Sequence, residues 1–290
     1  FNRASGEPIW PIVERPVPAS EVPGERLSPT QPMPTKPAAY EMQGLIEDDL
    51  IDFTPELRAE ALEIVQNYRL GPIFNPPIER GHASGLRSFV SCPSGASNIF
   101  GPTSADPETG ILYVSTQRGC RSENIVSGND IDLPDDIKTT GTTIADFAVL
   151  NRGDFRGPQG LPIFKPPYSR IVAIDMNTGQ HLWAVPNGDT PERIRNHPAL
   201  QGVELPNTGR RSHPVTMVTK TLVITSEGTG GTPRLHALDK RTGERLGTVQ
   251  LPASGQYGMM GYQHEGSQYI VVQVAGPDLP GSLAALRLPE

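Results

Sequence analysis

The amino-acid sequence predicts an all-β chain built from the four-stranded antiparallel blades of a propeller. Three observations support this fold class. One short pattern occurs three times, short alternating apolar segments surround its copies, and glycine and proline (30 and 31 of 290 residues) supply turns for many short strands. A series of such strands is typical of propellers, which repeat one small sheet around a central axis.

The repeat consists of an apolar residue, Asp or Asn, two variable residues, Thr or Ser, Gly, three residues and Trp. Its copies are residues 1–10, 174–183 and 238–247, and the third has Gly247 where Trp is expected. The pattern predicts a tight hairpin, because the Asp or Asn side chain accepts turn amides and Gly adopts a positive φ. Trp10 and Trp183 are predicted to be packing residues.

The strands of two further blades follow the second copy. Residues 214–227 ("PVTMVTKTLVITSE") predict two strands that meet near Lys220, and "RLHALD" and "ERLGTVQL" complete this blade. The next blade begins with a hairpin that turns at residues 265–266, and "SLAALRL" adds a third strand. A propeller blade needs four strands, so we expect a strand from the other terminus to complete the last one.

Two insertions interrupt the blades, and we assign the whole chain, residues 1–290, to one partial propeller domain. The first, roughly residues 11–82, is proline-rich and then predicts one helix with Thr54 as N-cap and Pro55 at its first position. The apolar stripe of this helix consists of Leu57, Ala61, Ile64, Val65 and Tyr68. The second, residues 118–167, carries the acidic run "GNDIDLPDD". A solvated loop is expected there, with a calcium site as the alternative, although EF-hand spacing is missing.

Composition excludes several classes of function. The net charge is −7 without a basic block, which argues against a nucleic-acid partner. No apolar run approaches the ~18 residues of a membrane-spanning helix. Cys92 and Cys120 lack the spacing of a zinc site, and both a disulfide and two buried thiols fit the sequence.

The order of these segments resembles the C-terminal half of the quinoprotein dehydrogenases, eight-bladed propellers that carry pyrroloquinoline quinone (PQQ) on their axis. The resemblance rests on "AIDMNTGQHLW", "ADPETGILYV" and "GQYGMMGYQHEGSQYIVVQVAG". Residues 11–37 and 48–77 are similar to the membrane-bound glucose, quinate and polyol branch of that family. The fold implied is about three blades of an eight-bladed propeller, in which the repeat is the tryptophan-docking motif.

The resemblance implies oxidation of a sugar, polyol or alcohol hydroxyl. PQQ would accept the electrons, Ca²⁺ would polarise the quinone, and an aspartate would remove the hydroxyl proton. Ubiquinone or a cytochrome would then accept the electrons. The location implied is the periplasm, with any inner-membrane anchor in a region before this sequence.

In that family the Ca²⁺ ligands, the aspartate base and most residues that stack on PQQ belong to earlier blades. The resemblance therefore places them before Phe1, and neither a catalytic residue nor a metal ligand is assigned within this chain. The missing N-terminal blades are the partner that would complete the cofactor site. We expect the 290-residue chain alone to lack turnover.

Three residues are candidates for cofactor binding by this resemblance. Asn98 in "GASNIFGP" matches an Asn-Trp pair of the family, although Ile99 replaces the Trp. His213 precedes a strand that abuts the cofactor in relatives. Gln256 matches a glucose-type loop, with Met259 where Pro is usual. The alternatives are a turn residue for Asn98, a structural histidine for His213 and loop packing for Gln256.

A non-catalytic scaffold is the alternative function class. Propellers with similar repeats act as non-catalytic scaffolds for protein contacts. The insertion at residues 11–77 favours the enzyme, because a scaffold has no evident need for it. The sequence does not identify the substrate.

Overall fold

The computed structural model describes residues 1–94, 103–128 and 146–287. Its α-helices are α1 (Pro55–Val65) and α2 (Glu192–Arg195), and short 3-10 helices lie at Glu47–Asp49, Pro158–Gly160 and Pro198–Leu200. Its strands are β1 (Ile12–Pro16), β2 (Thr30–Pro34), β3 (Gly44–Leu45), β4 (Tyr68–Arg69), β5 (Gly71–Pro72), β6 (Ser88–Ser91), β7 (Ser104–Asp106), β8 (Ile111–Gln117), β9 (Arg121–Ser127), β10 (Phe147–Asp154), β11 (Ser169–Asp175), β12 (Gln180–Pro186), β13 (His213–Val218), β14 (Leu222–Thr229), β15 (Arg234–Asp239), β16 (Arg245–Gln250), β17 (Ser254–His264), β18 (Ser267–Gly276) and β19 (Leu279–Arg287).

Three antiparallel sheets follow one another as propeller blades. Blade A has the strand order β7-β8-β11-β12, blade B β13-β14-β15-β16 and blade C β17-β18-β19. Strand β13 packs against β7 and β8 on one side and against β17 on the other, so the first strand of each blade is the inner one. The prediction of an all-β fold with four-stranded antiparallel blades is confirmed.

The strands predicted after the second repeat copy are also confirmed. Strands β13 and β14 meet around Lys220, and β15 and β16 complete blade B. Strands β17 and β18 turn at residues 265–266 as expected. Within the described residues, blade C has three strands.

The repeat forms the predicted turn in each copy. The Asp175 carboxylate accepts a hydrogen bond from the Asn177 amide at 2.8 Å, as an Asp at the start of such a turn should. The glycines have φ of 75°, 73° and 76° at Gly6, Gly179 and Gly243. These left-handed values are accessible to glycine at little cost.

In the second and third copies, the motif glycine also leaves room for the Trp of the preceding copy. A Cβ added to Gly179 would lie 3.3 Å from Cζ2 of Trp10, and one added to Gly243 would lie 2.7 Å from Cε3 of Trp183. The Trp183 indole N–H donates to the Lys240 carbonyl at 3.2 Å. Trp183 therefore joins blade A to blade B, as the docking interpretation predicts, and Trp10 packs on the turn of blade A in the same way.

Lys240 joins blades A and B through three contacts at the seam between them. Its carbonyl also accepts a hydrogen bond from the Tyr113 hydroxyl at 3.1 Å, and its ammonium lies 2.7 Å from the Asp106 carboxylate. The hydrogen bond from Lys240, followed by that from Thr109, lowers the pKa of Asp106 to about 2. The packed rings of Tyr113 and Trp183, 5.7 Å apart, lie at the same seam.

The first insertion contains the predicted helix. The Thr54 side chain accepts a hydrogen bond from the Leu57 amide at 3.2 Å, which caps α1 as expected. The helix buries Leu57, Ala61 and Val65. Tyr68 is not part of this stripe, because the helix ends at Val65 and Tyr68 lies in β4.

The second insertion is more ordered than the predicted loop. Strands β9 and β10 pair with each other and join β6 and β4 in a four-stranded sheet. Cys92 and Cys120 form a disulfide beside this sheet, which decides between the two alternatives left by the sequence. Residues 129–136 of the acidic run, and with them the calcium alternative, lie outside the described residues. None of the described helices is long and apolar enough to span a membrane.

Filling the seam between blades B and C should stabilise the protein. An apolar cavity of about 330 Å³ lies at this seam, between Leu235, Val249, Ile270 and Leu286, and Gly247 opens onto it. A Cβ at Gly247 meets no atom within 4 Å.

We therefore expect Gly247→Trp to bury its indole there and raise stability by about 1–3 kcal/mol. Thermal unfolding should show an increase in Tm of about 2–4 °C per kcal/mol. Gly281→Trp, on the exposed side of β19, is the matched control and should leave Tm unchanged. A lower Tm for Gly247→Trp would contradict the alignment of the third repeat copy.

The Asp106–Lys240 ion pair should make stability depend on pH. The folded pKa of Asp106, about 2, lies below the ordinary value of 3.8, so its stabilisation is present above 3.8 and is lost as the pH falls toward 2. The free energy of unfolding, measured with urea across this interval, should fall less steeply in Asp106→Asn than in the unmodified protein. Asp278→Asn, at an exposed turn, should keep the unmodified slope.

Candidate functional site

The alternating direction of the blade strands determines which connections share an end. Neighbouring strands of a blade run in opposite directions. The connection between the second and third strands therefore lies at one end of the blade. The connection from the outer strand to the inner strand of the next blade lies at that same end. Residues 118–168 and 187–212, the two longest connections of this kind, are therefore neighbours. We call this end of the blades the upper end, and β13 and β17 both begin there.

His213 is the first residue of β13, and its backbone is held by close contact with blade B itself. A Cβ added to Gly228 would lie 1.6 Å from the His213 carbonyl oxygen, and Gly228 has a φ of +75°. Position 228 therefore requires glycine for two reasons. Its φ is positive, and the close approach of β13 leaves no room for a Cβ.

The imidazole of His213 is oriented from blade A. The side-chain nitrogen of Gln117, the last residue of β8, lies 3.2 Å from His213 Nδ1. With the Gln117 amide donating, Nδ1 is the acceptor and the proton resides on Nε2. Burial, followed by the positive charge of Arg211, lowers the pKa of His213 below its ordinary value, so the ring is neutral at pH 7.

One face of β8 makes this contact possible. Tyr113, Ser115 and Gln117 alternate along the strand and therefore point to the same side. The Tyr113 hydroxyl donates to the Lys240 carbonyl at 3.1 Å, and the Ser115 hydroxyl donates to the Pro214 carbonyl at 3.2 Å. The Gln117 amide contacts the His213 ring. These three contacts follow the seam between blades A and B, and the last of them lies at the upper end.

Gln256 lies near the start of β17, and its side chain has a structural partner. Its amide donates to the Ala275 carbonyl of β18 at 3.2 Å. The register shifts between Gln256 and Met259, and Tyr257 within this bulge has a φ of 60°. The amide thus supports a bulge at the upper end, while its role in cofactor binding stays a prediction.

Asn98 lies within residues 95–102, outside the described part of the chain. Its proposed contact with the quinone therefore stays a prediction. His213 and Gln256 lie at the same end of neighbouring inner strands, and their contact with a cofactor stays a prediction.

Sequence reasoning missed an arginine pocket at the upper end, a cavity of about 320 Å³. Its charged and aromatic lining includes Arg118, Arg156, Tyr168, Arg193 and Arg211. These residues come from both long connections, so no local spacing reveals them. The only sequence signal is the pair Arg210–Arg211 just before His213.

The arginine pocket has an excess of positive charge. Arg118 donates to the Glu41 carboxylate at 2.7 Å, and Arg211 pairs with Asp154 at 3.0 Å. In the described part of the chain, the side chains of Arg156 and Arg193 have neither an ion pair nor a hydrogen bond. Such a cavity favours an anion.

Metal ligands are not gathered at this end within residues 1–94, 103–128 and 146–287. No group of three or more His, Cys, Asp and Glu side chains suited to a metal ion occurs among them. The calcium ligands expected in earlier blades stay a prediction.

Comparison with known proteins decides the family. Residues 1–270 match the family described as "PQQ: Glucose/ethanol/alcohol dehydrogenase, beta-propeller domain". The chain belongs to this family. The resemblance predicted from the repeat and from residues 11–77 is thereby confirmed.

The relatives of this PQQ propeller include dehydrogenases named for three substrates. Over 95% of its length the chain is 27% identical to the quinoprotein glucose dehydrogenase of Escherichia coli, 27% to the glycerol dehydrogenase large subunit of Gluconobacter oxydans and 26% to the quinate/shikimate dehydrogenase (quinone) of Acinetobacter baylyi. It spans 34%, 38% and 34% of those proteins, about a third of their length. Among solved structures, the quinohemoprotein alcohol dehydrogenase from Comamonas testosteroni matches 69% of this chain and 28% of its own at 19% identity, with a TM-score of 0.41.

The residues at the upper end fit the cofactor that this family implies. PQQ is a planar quinone with carboxylate groups, so a bound molecule needs positive charge and hydrogen-bond donors. The arginine pocket supplies the charge. The neutral His213, held at Nδ1 by the Gln117 amide, lies at this end as well.

Proposed function

We propose that this chain is part of a PQQ-dependent dehydrogenase that oxidises a sugar, polyol or alcohol hydroxyl and passes the electrons to a quinone or cytochrome. The observation that carries the proposal is the family match over residues 1–270. The cationic upper end, built from two long connections, is its structural support. A periplasmic location is part of the proposal.

When bound, PQQ supplies the two-electron acceptor for hydrogen removed from the carbinol carbon. Gln117 keeps the ring of His213 in one orientation at the upper end, where the cofactor would bind. Because the ring is neutral, it adds no charge to this end. The buried Phe155, Leu161 and Phe164 form the apolar side of the arginine pocket.

No calcium ligand is assigned to this chain. The described residues offer no cluster of ligands for it. We propose that the earlier blades hold the ion, as the family resemblance implies. The aspartate base is proposed to come from those blades too.

The decisive test is PQQ-dependent turnover by the complete protein that contains this chain. After addition of PQQ and Ca²⁺, dye reduction should follow with at least one of glucose, glycerol and quinate. Omission of PQQ should abolish it. The absence of turnover with a broad alcohol panel would contradict the enzyme and favour the alternative, a non-catalytic propeller scaffold.

The same protein tests the role of His213. His213→Ala should weaken PQQ binding about fivefold, because one hydrogen bond contributes roughly 1 kcal/mol. His264→Ala is the matched control, since this histidine is exposed at the far end of β17. Equal PQQ affinities of the two variants would remove His213 from the cofactor site.

A further inference from the structure

The cavity between blades B and C, which we call the seam cavity, lies where a tryptophan is docked one seam earlier. In blade A, Trp183 of β12 pairs with Ala173 of β11, and the register shifts directly after this alanine. In blade B, Gly247 of β16 pairs with Ala237 of β15, and the register shifts at the same place. Gly247 therefore has the position of the docked tryptophan in the structure as well as in the sequence.

The next blade supplies equivalent walls at both seams. Val223 and Leu238 of blade B pair across β14 and β15, and both belong to the apolar cluster that includes Trp183. Ile270 and Leu286 of blade C pair in the same way across β18 and β19, and both line the seam cavity. The seam cavity is thus a tryptophan pocket of the repeat without its indole.

The seam cavity is within reach of a ligand. Of the residues that line it, Gly247 is exposed and Val249 is 52% exposed, so one side is open to solvent. Ile224 and Leu235, with 6% and 4% exposure, form its inner wall. Water in such a site finds few hydrogen-bond partners, and its replacement by an apolar molecule is favourable.

The volume and the lining indicate the class of ligand. A cavity of about 150 Å³ with apolar walls can bind benzene. The seam cavity has about 330 Å³, so one or two fused rings fit. Thr221 and Gln268 also line it and can hydrogen-bond to one polar group on such a ring. The equivalent pocket between blades A and B holds the flat indole of Trp183, which favours a planar molecule over a bulky one.

We propose that the seam cavity binds a planar aromatic molecule of one or two rings, which lies between blades B and C as the Trp183 indole lies between blades A and B. The bound ring contacts Leu235 on one side and Ile270 on the other, so it joins the two blades. A ligand that binds only the folded protein stabilises it. This site goes beyond the proposed function and does not depend on it, since neither PQQ nor the substrate takes part.

Binding is measured by calorimetry on the complete protein that contains this chain, with indole as the probe. We expect a Kd of about 0.1–1 mM, which a ligand of this size reaches in an apolar site. Thermal unfolding should show a Tm that increases with indole concentration. Glycerol, which is polar, should bind more weakly by about tenfold or more. Phenol and cyclohexanol are matched in size and polarity, and phenol should bind about threefold more tightly because its flat ring contacts both blades.

Variants at position 247 locate the bound indole. Gly247→Trp places an indole of its own in the seam cavity and should weaken indole binding about tenfold or more. Gly247→Val fills the cavity in part and should weaken binding less, and because valine suits a strand it tests the site even if the larger side chain prevents folding. Leu246→Trp is the matched control, since Leu246 is 57% exposed and does not line the cavity. It should leave indole affinity unchanged.

The outcomes that would overturn the proposal are distinct from those that bear on the enzyme. The absence of indole binding, or equal affinity in both position-247 variants and the unmodified protein, would overturn it. Equal affinities for phenol and cyclohexanol would overturn the planar aromatic class. Indole binding without PQQ-dependent turnover would contradict the proposed function alone, whereas turnover without indole binding would contradict this proposal alone.

Discussion

The contact of the Trp183 indole with Gly243 fixes how blades A and B lie against each other. The ring approaches the turn so closely that any side chain at Gly243 would collide with it, and its N–H donates to Lys240. The Lys240 carbonyl also accepts a hydrogen bond from the Tyr113 hydroxyl, and the Lys240 ammonium pairs with Asp106. An aromatic contact, two hydrogen bonds and an ion pair thus converge on one turn of four residues.

The candidate site depends on this seam through strand β8. The side chains on one face of β8 bond to blade B at the seam and again at His213, so the position of the imidazole follows from the position of the blade. The two long connections that build the arginine pocket leave from β8 and from the end of β12. Their arginines can meet only if blades A and B keep their relative orientation.

The sequence predicts much of the scaffold because those features are local and periodic. The repeat contains its own turn residues, the strands of blade B alternate in a recognisable way, and Thr54 and Pro55 mark the start of α1. The candidate site is predicted less well, because Arg156, Tyr168 and Arg193 are far apart along the chain and become neighbours only in the folded protein. The sequence does not show where α1 ends, so the predicted stripe includes Tyr68, which lies in β4, because the end of a helix is a weaker signal than its start.

Amide hydrogen exchange of the Trp183→Phe variant tests most directly whether this seam holds the site. The smaller ring lacks the N–H that bonds to Lys240, so we expect faster exchange in β8 and β13, up to His213, and unchanged exchange in β18. Trp10→Phe, which alters the other docked tryptophan, should leave β13 as it is. Unchanged protection of β13 in Trp183→Phe would contradict the account.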